Sequence, residues 1–243
     1  MTMPYLKKVI KFKNSIEIEK VFSGKYGWKG KPQKKRTPTP EEMKVINRRQ
    51  AIKKLRWKIK ANFNEIDDYH LVLTYKKDQR PDADEAKRRL KNLIQNVRRQ
   101  YKKRGHDLKY IIVTEYKNKA IHHHLVINGI SDTMKLICHY WKYGHPNFTP
   151  LYEEESLGEL AEYLVKETDK TFREKVHQKQ RYRCSRNLVE PDIKVEVVRA
   201  NTFRKKIKPC AGYYIDKPSI VEGINEFGYR YQFYTMVKIK KLE

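Results

Sequence analysis

Apolar positions along the chain fall into two alternating periods, one helical and one extended. Val45, Ile52, Leu55, Ile59 and Phe63 recur at helical intervals, so a helix is expected from about Thr39 to Asn62. Thr39 can cap it, Pro40 suits the first helical position, and Glu42 completes a capping box. "DYHLVLTY", residues 68–75, is rich in β-formers and reads as a core strand. Ala83, Ala86, Leu90, Leu93, Ile94, Val97 and Tyr101 then mark a second helix, acidic at its start, basic at its end and closed by Gly105. "LKYIIVTEY" (108–116) and "IHHHLVING" (121–129) are strands, and "KNKA" between them is short enough for a hairpin. Two further helices are expected over 131–141 and 155–170, the latter with Leu157, Leu160, Ala161 and Leu164 inward.

Outside this stretch the periods weaken. Residues 1–35 hold one or two short strands, and "KGKPQKKRTPTP" is a basic linker. Gly144 and Pro146 mark a loop. After about 172 the pattern loosens before a β-rich tail, "GYRYQFYTMVKIK". The central hairpin excludes a doubly wound parallel sheet. The expected fold is α+β: a central antiparallel β-sheet flanked by helices, with a basic N-terminal helix and a C-terminal extension. The expected divisions are an N-terminal extension and basic helix over 1–65, a core over 66–172, and a C-terminal extension over 173–243, either separate or packed on that core.

Charge adds a partner to this outline. The 55 Lys and Arg exceed the 29 Asp and Glu of the 243-residue chain, a net charge of +26. Such an excess suits a polyanion, first of all nucleic acid, where each neutralised phosphate releases condensed counterions. No apolar run reaches the roughly 18 residues of a membrane span, so no membrane partner is expected. The N-terminus lacks the apolar core of a signal peptide. Cys138, Cys184 and Cys210 are few and far apart, which suits a reducing cytoplasm and neither a disulfide framework nor a zinc knuckle.

Chemistry concentrates in two places. Side chains alternate along a strand, so His122 and His124 share one face, about 7 Å apart at the backbone, while His123 faces the other layer with Leu125. A tight hairpin would bring Glu115 beside the pair. Two imidazoles and a carboxylate can hold a divalent ion with positions left open, although a satisfied polar pair has the same pattern. Farther on, Tyr163 and Lys166 stand at i and i+3 on one helix face. A phenol, with a pKa of about 10, becomes a nucleophile towards phosphorus only when it or its target is activated. The same spacing also occurs on ordinary amphipathic helices. Glu153, Glu154 and Glu155 form an acidic run that suits either a helix N-terminus or a second metal.

"LVLTY", "TEYKNKAIHHHLVI" and "ELAEYLVKE", taken in order, resemble the three motifs of HUH endonucleases, specifically single-tyrosine rolling-circle replication initiators (Rep proteins). The likeness covers about 66–172. The flanking "TPEEMKVINRRQAIKKLRWKIKANF", "RYRCSRNLVEPDI" and "PCAGYYIDKPSI" look like a bacterial subgroup found in phages, plasmids and integrative elements. The resemblance implies metal-dependent, sequence- or hairpin-specific nicking of single-stranded DNA and strand transfer through a covalent 5′-phosphotyrosine. It assigns Glu115, His122 and His124 to Mg2+ or Mn2+, Tyr163 to nucleophilic attack and Lys166 to assistance. It gives the Thr74 and Tyr75 strand a structural or DNA-contact role. Glu159 and Glu167 stand where a second tyrosine would be sought, so one tyrosine serves the cycle.

For DNA binding, Arg48, Arg49, Lys53 and Arg56 on the first helix and Arg181, Arg183 and Arg186 are the candidate phosphate contacts. Tyr75, Tyr116, Trp141 and Tyr143 are candidates either for stacking on bases or for the core. The expected partners are single-stranded or hairpin origin DNA and, because no GxxxxGK[ST] loop occurs, a helicase acting in trans in a bacterial cytoplasm. Two other readings share the residues: a non-catalytic basic DNA- or RNA-binding protein, and a nuclease that activates water at the metal.

Overall fold

The computed structural model describes residues 4–22, 37–63, 67–117, 120–151, 156–174 and 180–239, with Lys117, Ser156 and 169–174 described by backbone alone. The fold is α+β and contains two antiparallel five-stranded sheets. The chain divides into two compact units, residues 48–190 and residues 1–47 together with 191–243.

In the first unit, β3 (Tyr69–Leu73), β4 (Tyr110–Lys117), β5 (Ala120–Ile127), β6 (Pro146–Pro150) and β7 (Arg183–Cys184) form a sheet ordered β6-β3-β5-β4-β7. The hairpin closes with Lys117 opposite Ala120, in the register Glu115↔His122, Thr114↔His123 and Val113↔His124. Strand β5 is therefore central, with β3 on its other side pairing Val72 with His124. The expected loop at Pro146 is instead an edge strand; both its prolines lie on the sheet's rim, where a missing N–H does not break an inner ladder.

Helices cover both faces. Helix α2 (Ala83–Lys103) starts at Asp82, whose carboxylate accepts the Glu85 amide at 2.8 Å, and ends where Gly105 takes φ +76°. It packs with α3 (Thr133–Tyr140) over Leu71, Leu73, Ile112, Leu125 and Ile127. On the opposite face α1 (Pro40–Asn62) and α4 (Ser156–Glu174) bury Leu55, Ile59, Phe63, Leu157, Ala161 and Leu164 against Ile111, Val113 and Val126. The capping box of α1 forms as its sequence predicts: the Thr39 amide donates to Glu42 Oε2 at 2.9 Å, and the Glu42 amide to Thr39 Oγ1 at 3.3 Å. Val45, read as part of the helix's inner stripe, is instead exposed.

The other unit draws on both ends of the described chain. Strands β1 (Tyr5–Lys11), β2 (Ser15–Phe22), β8 (Asp192–Val198), β9 (Tyr213–Ile224) and β10 (Arg230–Lys238) form the order β8-β1-β2-β10-β9. One face packs Ile16, Ile18, Tyr234 and Met236, and beside them Tyr5, Phe22 and Phe203. Buried Lys20 donates to Gln232 Oε1 at 2.6 Å and lies over the Tyr234 ring; burial pushes its pKa down. The linker over 29–36 and the acidic run Glu153–Glu155 lie outside the described residues.

Candidate functional site

The pleat of β5 sorts the three histidines. His123 points into the α2/α3 layer and is fully buried. Its Nε2 lies 2.9 Å from the Tyr75 hydroxyl and its Nδ1 3.0 Å from Thr114 Oγ1, so both nitrogens are used within the core. Burial, aided by the positive charge of Arg183, pushes its pKa down to about 3, and the ring is neutral at ordinary pH.

His122 and His124 face the α1/α4 layer with Glu115. His122 Nδ1 is 3.8 Å and His124 Nε2 is 3.6 Å from the same oxygen, Glu115 Oε2. His122 is open to solvent, whereas His124 and Glu115 are buried. His124 Nε2 has no hydrogen-bond partner although it is enclosed, because 3.6 Å is too long for such a bond. A buried lone pair beside a carboxylate oxygen costs stability unless something fills the gap. The donor set of two imidazole nitrogens and one carboxylate suits a divalent cation with open positions. Ligand atoms at right angles on one ion, each at ~2.1 Å, sit about 3 Å apart. The three side chains thus stand slightly too far apart, and no group of three or more His, Cys, Asp or Glu among the described residues is already drawn to metal-holding distances.

A fourth histidine backs the site. His70 on β3 stacks on His124, ring centroids 5.6 Å apart and 12° from parallel, and its Nε2 lies 3.4 Å from His124 Nδ1. With Nδ1 engaged there, His124 turns Nε2 towards Glu115; a partner on the far nitrogen is how ligating histidines keep their tautomer and orientation. Burial and mutual repulsion push His70 down to about 4; burial and the neighbouring His122 do the same to His124. Sequence reasoning missed His70 because it faces His124 only through the β3–β5 pairing, 54 residues away.

Helix α4 carries Tyr163 over the same face. Its ring meets that of His124 edge-on at 5.4 Å and 78°, and it remains 41% exposed, enough for a macromolecular substrate to reach. Burial raises the phenol's pKa, and the carboxylates of Glu167 and Glu115 raise it further. Lys166 is exposed one turn on. Glu167 acts electrostatically on both Tyr163 and His124, so it belongs to this neighbourhood; its sequence signal was only the lack of a second tyrosine.

The candidate DNA-contact residues are dispersed. Arg48 reaches Glu162 on α4 at 3.9 Å, and the side chain of Arg56 runs beside Gly158, so the basic side of α1 borders the helix that bears Tyr163. Arg49 is exposed, and Lys53 lies over the Trp57 ring at 4.7 Å. Arg181 donates to the Val165 carbonyl at 3.4 Å, while Arg183 and Arg186 are exposed near the sheet edge. Tyr75 is buried, its hydroxyl committed to His123. Trp141 is also in the core, donating from Nε1 to the Thr74 carbonyl at 3.1 Å. Thr74 is tied to the backbone of His145 through its hydroxyl. Gly144 is required there, since a Cβ would come within 2.1 Å of the Thr74 carbonyl oxygen.

Residues 68–172 match the family model of the ORF2-type replication-associated proteins. The matched segment contains β3 to α4, and with them His70, Glu115, His122, His124 and Tyr163. This part of the chain is similar to a replication-associated protein, which is consistent with a replication initiator and with interaction with DNA. No curated protein and no solved structure matches the chain. No described helix is long and apolar enough to cross a membrane, and all three cysteines are free.

Proposed function

We propose that the chain is an HUH-type endonuclease and strand transferase that initiates rolling-circle replication on single-stranded or hairpin DNA, with its catalytic core in residues 66–172. The observation that carries this reading is Tyr163 seated edge-on against His124, above the face shared by Glu115 and His122. The replication-associated match over the same residues supports it.

Glu115, His122 and His124 would hold Mg2+ or Mn2+, with His70 orienting His124. Such an ion supplies Lewis acidity, polarising the scissile phosphate and offsetting the carboxylates that raise the phenol's pKa. Tyr163 delivers its phenolic oxygen to phosphorus, the 3′-oxygen leaves and takes up a proton, and the 5′-phosphate stays on tyrosine. Lys166 offsets charge that develops on the phosphoryl oxygens. The ester conserves the energy of the broken phosphodiester, so a 3′-hydroxyl can reverse the step and rejoin the strand. His123 takes no part, being committed to the core. Arg48, Arg49, Lys53, Arg56, Arg181, Arg183 and Arg186 supply phosphate contacts, and unwinding falls to a helicase in trans.

The test is incubation of the protein with single-stranded DNA from its own genetic element, with Mn2+ or EDTA, followed by sequencing of the cut ends. One defined nick that needs Mn2+ and leaves a blocked 5′ end supports the reading. Binding without any cut in Mn2+ points to a non-catalytic binder, and cuts with free 5′-phosphates to a water-using nuclease; either result contradicts it.

A further inference from the structure

At the far end of β4 from Glu115, on the other face of the sheet, lies a pocket of about 440 Å3. Tyr110 and Glu115 are five positions apart, hence on opposite faces and about 17 Å from each other along the strand. The pocket's walls include Arg98 from α2, Asp107 and Tyr110 at the start of β4, and Ser185, Arg186 and Asn187 just after the edge strand β7.

These walls have three distinct chemistries. Arg98 Nη2 donates to the Tyr110 hydroxyl at 3.0 Å and its guanidinium lies 5.7 Å from the ring centroid, so the ring is held in place. The backbone around it is fixed as well: the Tyr110 amide donates to Ser185 Oγ at 3.0 Å, and the Ser185 amide to the Tyr110 carbonyl at 2.9 Å. Asn187 Nδ2 holds the Leu108 carbonyl at 3.2 Å. Arg98 and Arg186 are exposed cations facing one carboxylate, Asp107.

A bare phosphate would use the guanidinium groups and leave the ring and Asp107 without a role. A lipid headgroup would want an apolar approach. A nucleotide uses all three: its phosphate meets the two arginines, its base lies against the tyrosine, and an amino group of the base donates to Asp107. The volume falls within the ~300–1,000 Å3 of ordinary small-molecule sites. We propose that this pocket holds one nucleotide of a single-stranded DNA some distance along the strand from Tyr163. At about 3.4 Å per stacked nucleotide, the separation along β4 corresponds to roughly five nucleotides. The inference rests on the reading of the chain as a DNA-processing protein.

The test is fluorescence anisotropy of labelled (dT)16 in EDTA over a range of KCl, which needs neither metal nor cleavage. Arg98→Ala/Arg186→Ala is expected to weaken binding about tenfold near 100 mM KCl and to reduce the salt slope by about 1.4, the share of two single-strand phosphate contacts. Arg99→Ala/Lys102→Ala removes the same charge from the same helix outside the pocket, and is expected to stay within about twofold of the wild type. Cys184 gives a readout in the intact pocket, whose wall it forms. In a Cys138→Ser/Cys210→Ser background, (dT)16 should slow its alkylation by N-ethylmaleimide at least threefold. Equal effects of the two double variants, or an alkylation rate indifferent to DNA, overturn the pocket assignment alone. A wild-type chain that does not bind (dT)16 overturns both the pocket and the function proposed above.

Discussion

Replacing His123 by leucine separates the structural histidine from its neighbours, and the consequences can be sized. His123 is neutral in the fold, with a pKa near 3, against about 6.5 in an unfolded chain. A base whose pKa is depressed by folding adds stability that is complete above about pH 7 and is lost as pH falls from 6.5 towards 3. At 1.4 kcal/mol per pH unit, each such histidine forfeits about 2 kcal/mol by pH 5. His70 and His124, both held near 4, behave alike, so the three together remove roughly 6 kcal/mol from a unit whose whole stability is on the order of 5–15 kcal/mol. In His123→Leu the hydroxyls of Tyr75 and Thr114 lose their ring partner in the core, costing about 1–3 kcal/mol each near pH 7.5. The variant is therefore weaker at pH 7.5, but its deficit shrinks by about 2 kcal/mol at pH 5. Urea unfolding in EDTA at the two pH values, followed by tryptophan fluorescence, measures both numbers. A deficit that stays constant or grows on acidification would refute the burial argument.

The remaining expectations concern the metal face and the DNA path. His70→Ala should lower Mn2+ affinity by about 10–100-fold, read by electron paramagnetic resonance, with Glu115, His122 and His124 all still present. Glu115→Gln should weaken Mn2+ binding as well, by removing the one charged ligand of the set; unchanged affinity in either variant would remove that residue from the site. Charge reversal at Arg49 and Lys53, on the exposed side of α1, should weaken oligonucleotide binding regardless of sequence and reduce its salt slope; an unaltered slope would take α1 out of the interface.

Local rules carried the reader far into the core. The capping box at Thr39–Glu42, the stripe of α2, and the division of the histidines between two faces all follow from spacing within one element. Glu115 was reachable because a two-residue connection fixes the register of its hairpin. What sequence left hidden is non-local. His70 meets His124 through a pairing 54 residues apart. Strands β1 and β8 pair Tyr5 with Val198, so the second sheet, assembled from both ends of the chain, has no local signature. Strand β6 has no alternation and two prolines, which only an edge position tolerates. The aromatic residues near the motifs illustrate the opposite error: Tyr75 and Trp141 looked available for bases but are buried around His123.

The central claim is that Tyr163 becomes covalently joined to DNA. The direct measurement is to incubate the protein with origin DNA and Mn2+, digest the SDS-resistant adduct, and locate the attachment by tandem mass spectrometry. The account predicts a nucleotide on the Tyr163 peptide and no adduct from Tyr163→Phe or in EDTA; attachment at another tyrosine, or an undiminished adduct from Tyr163→Phe, would contradict it.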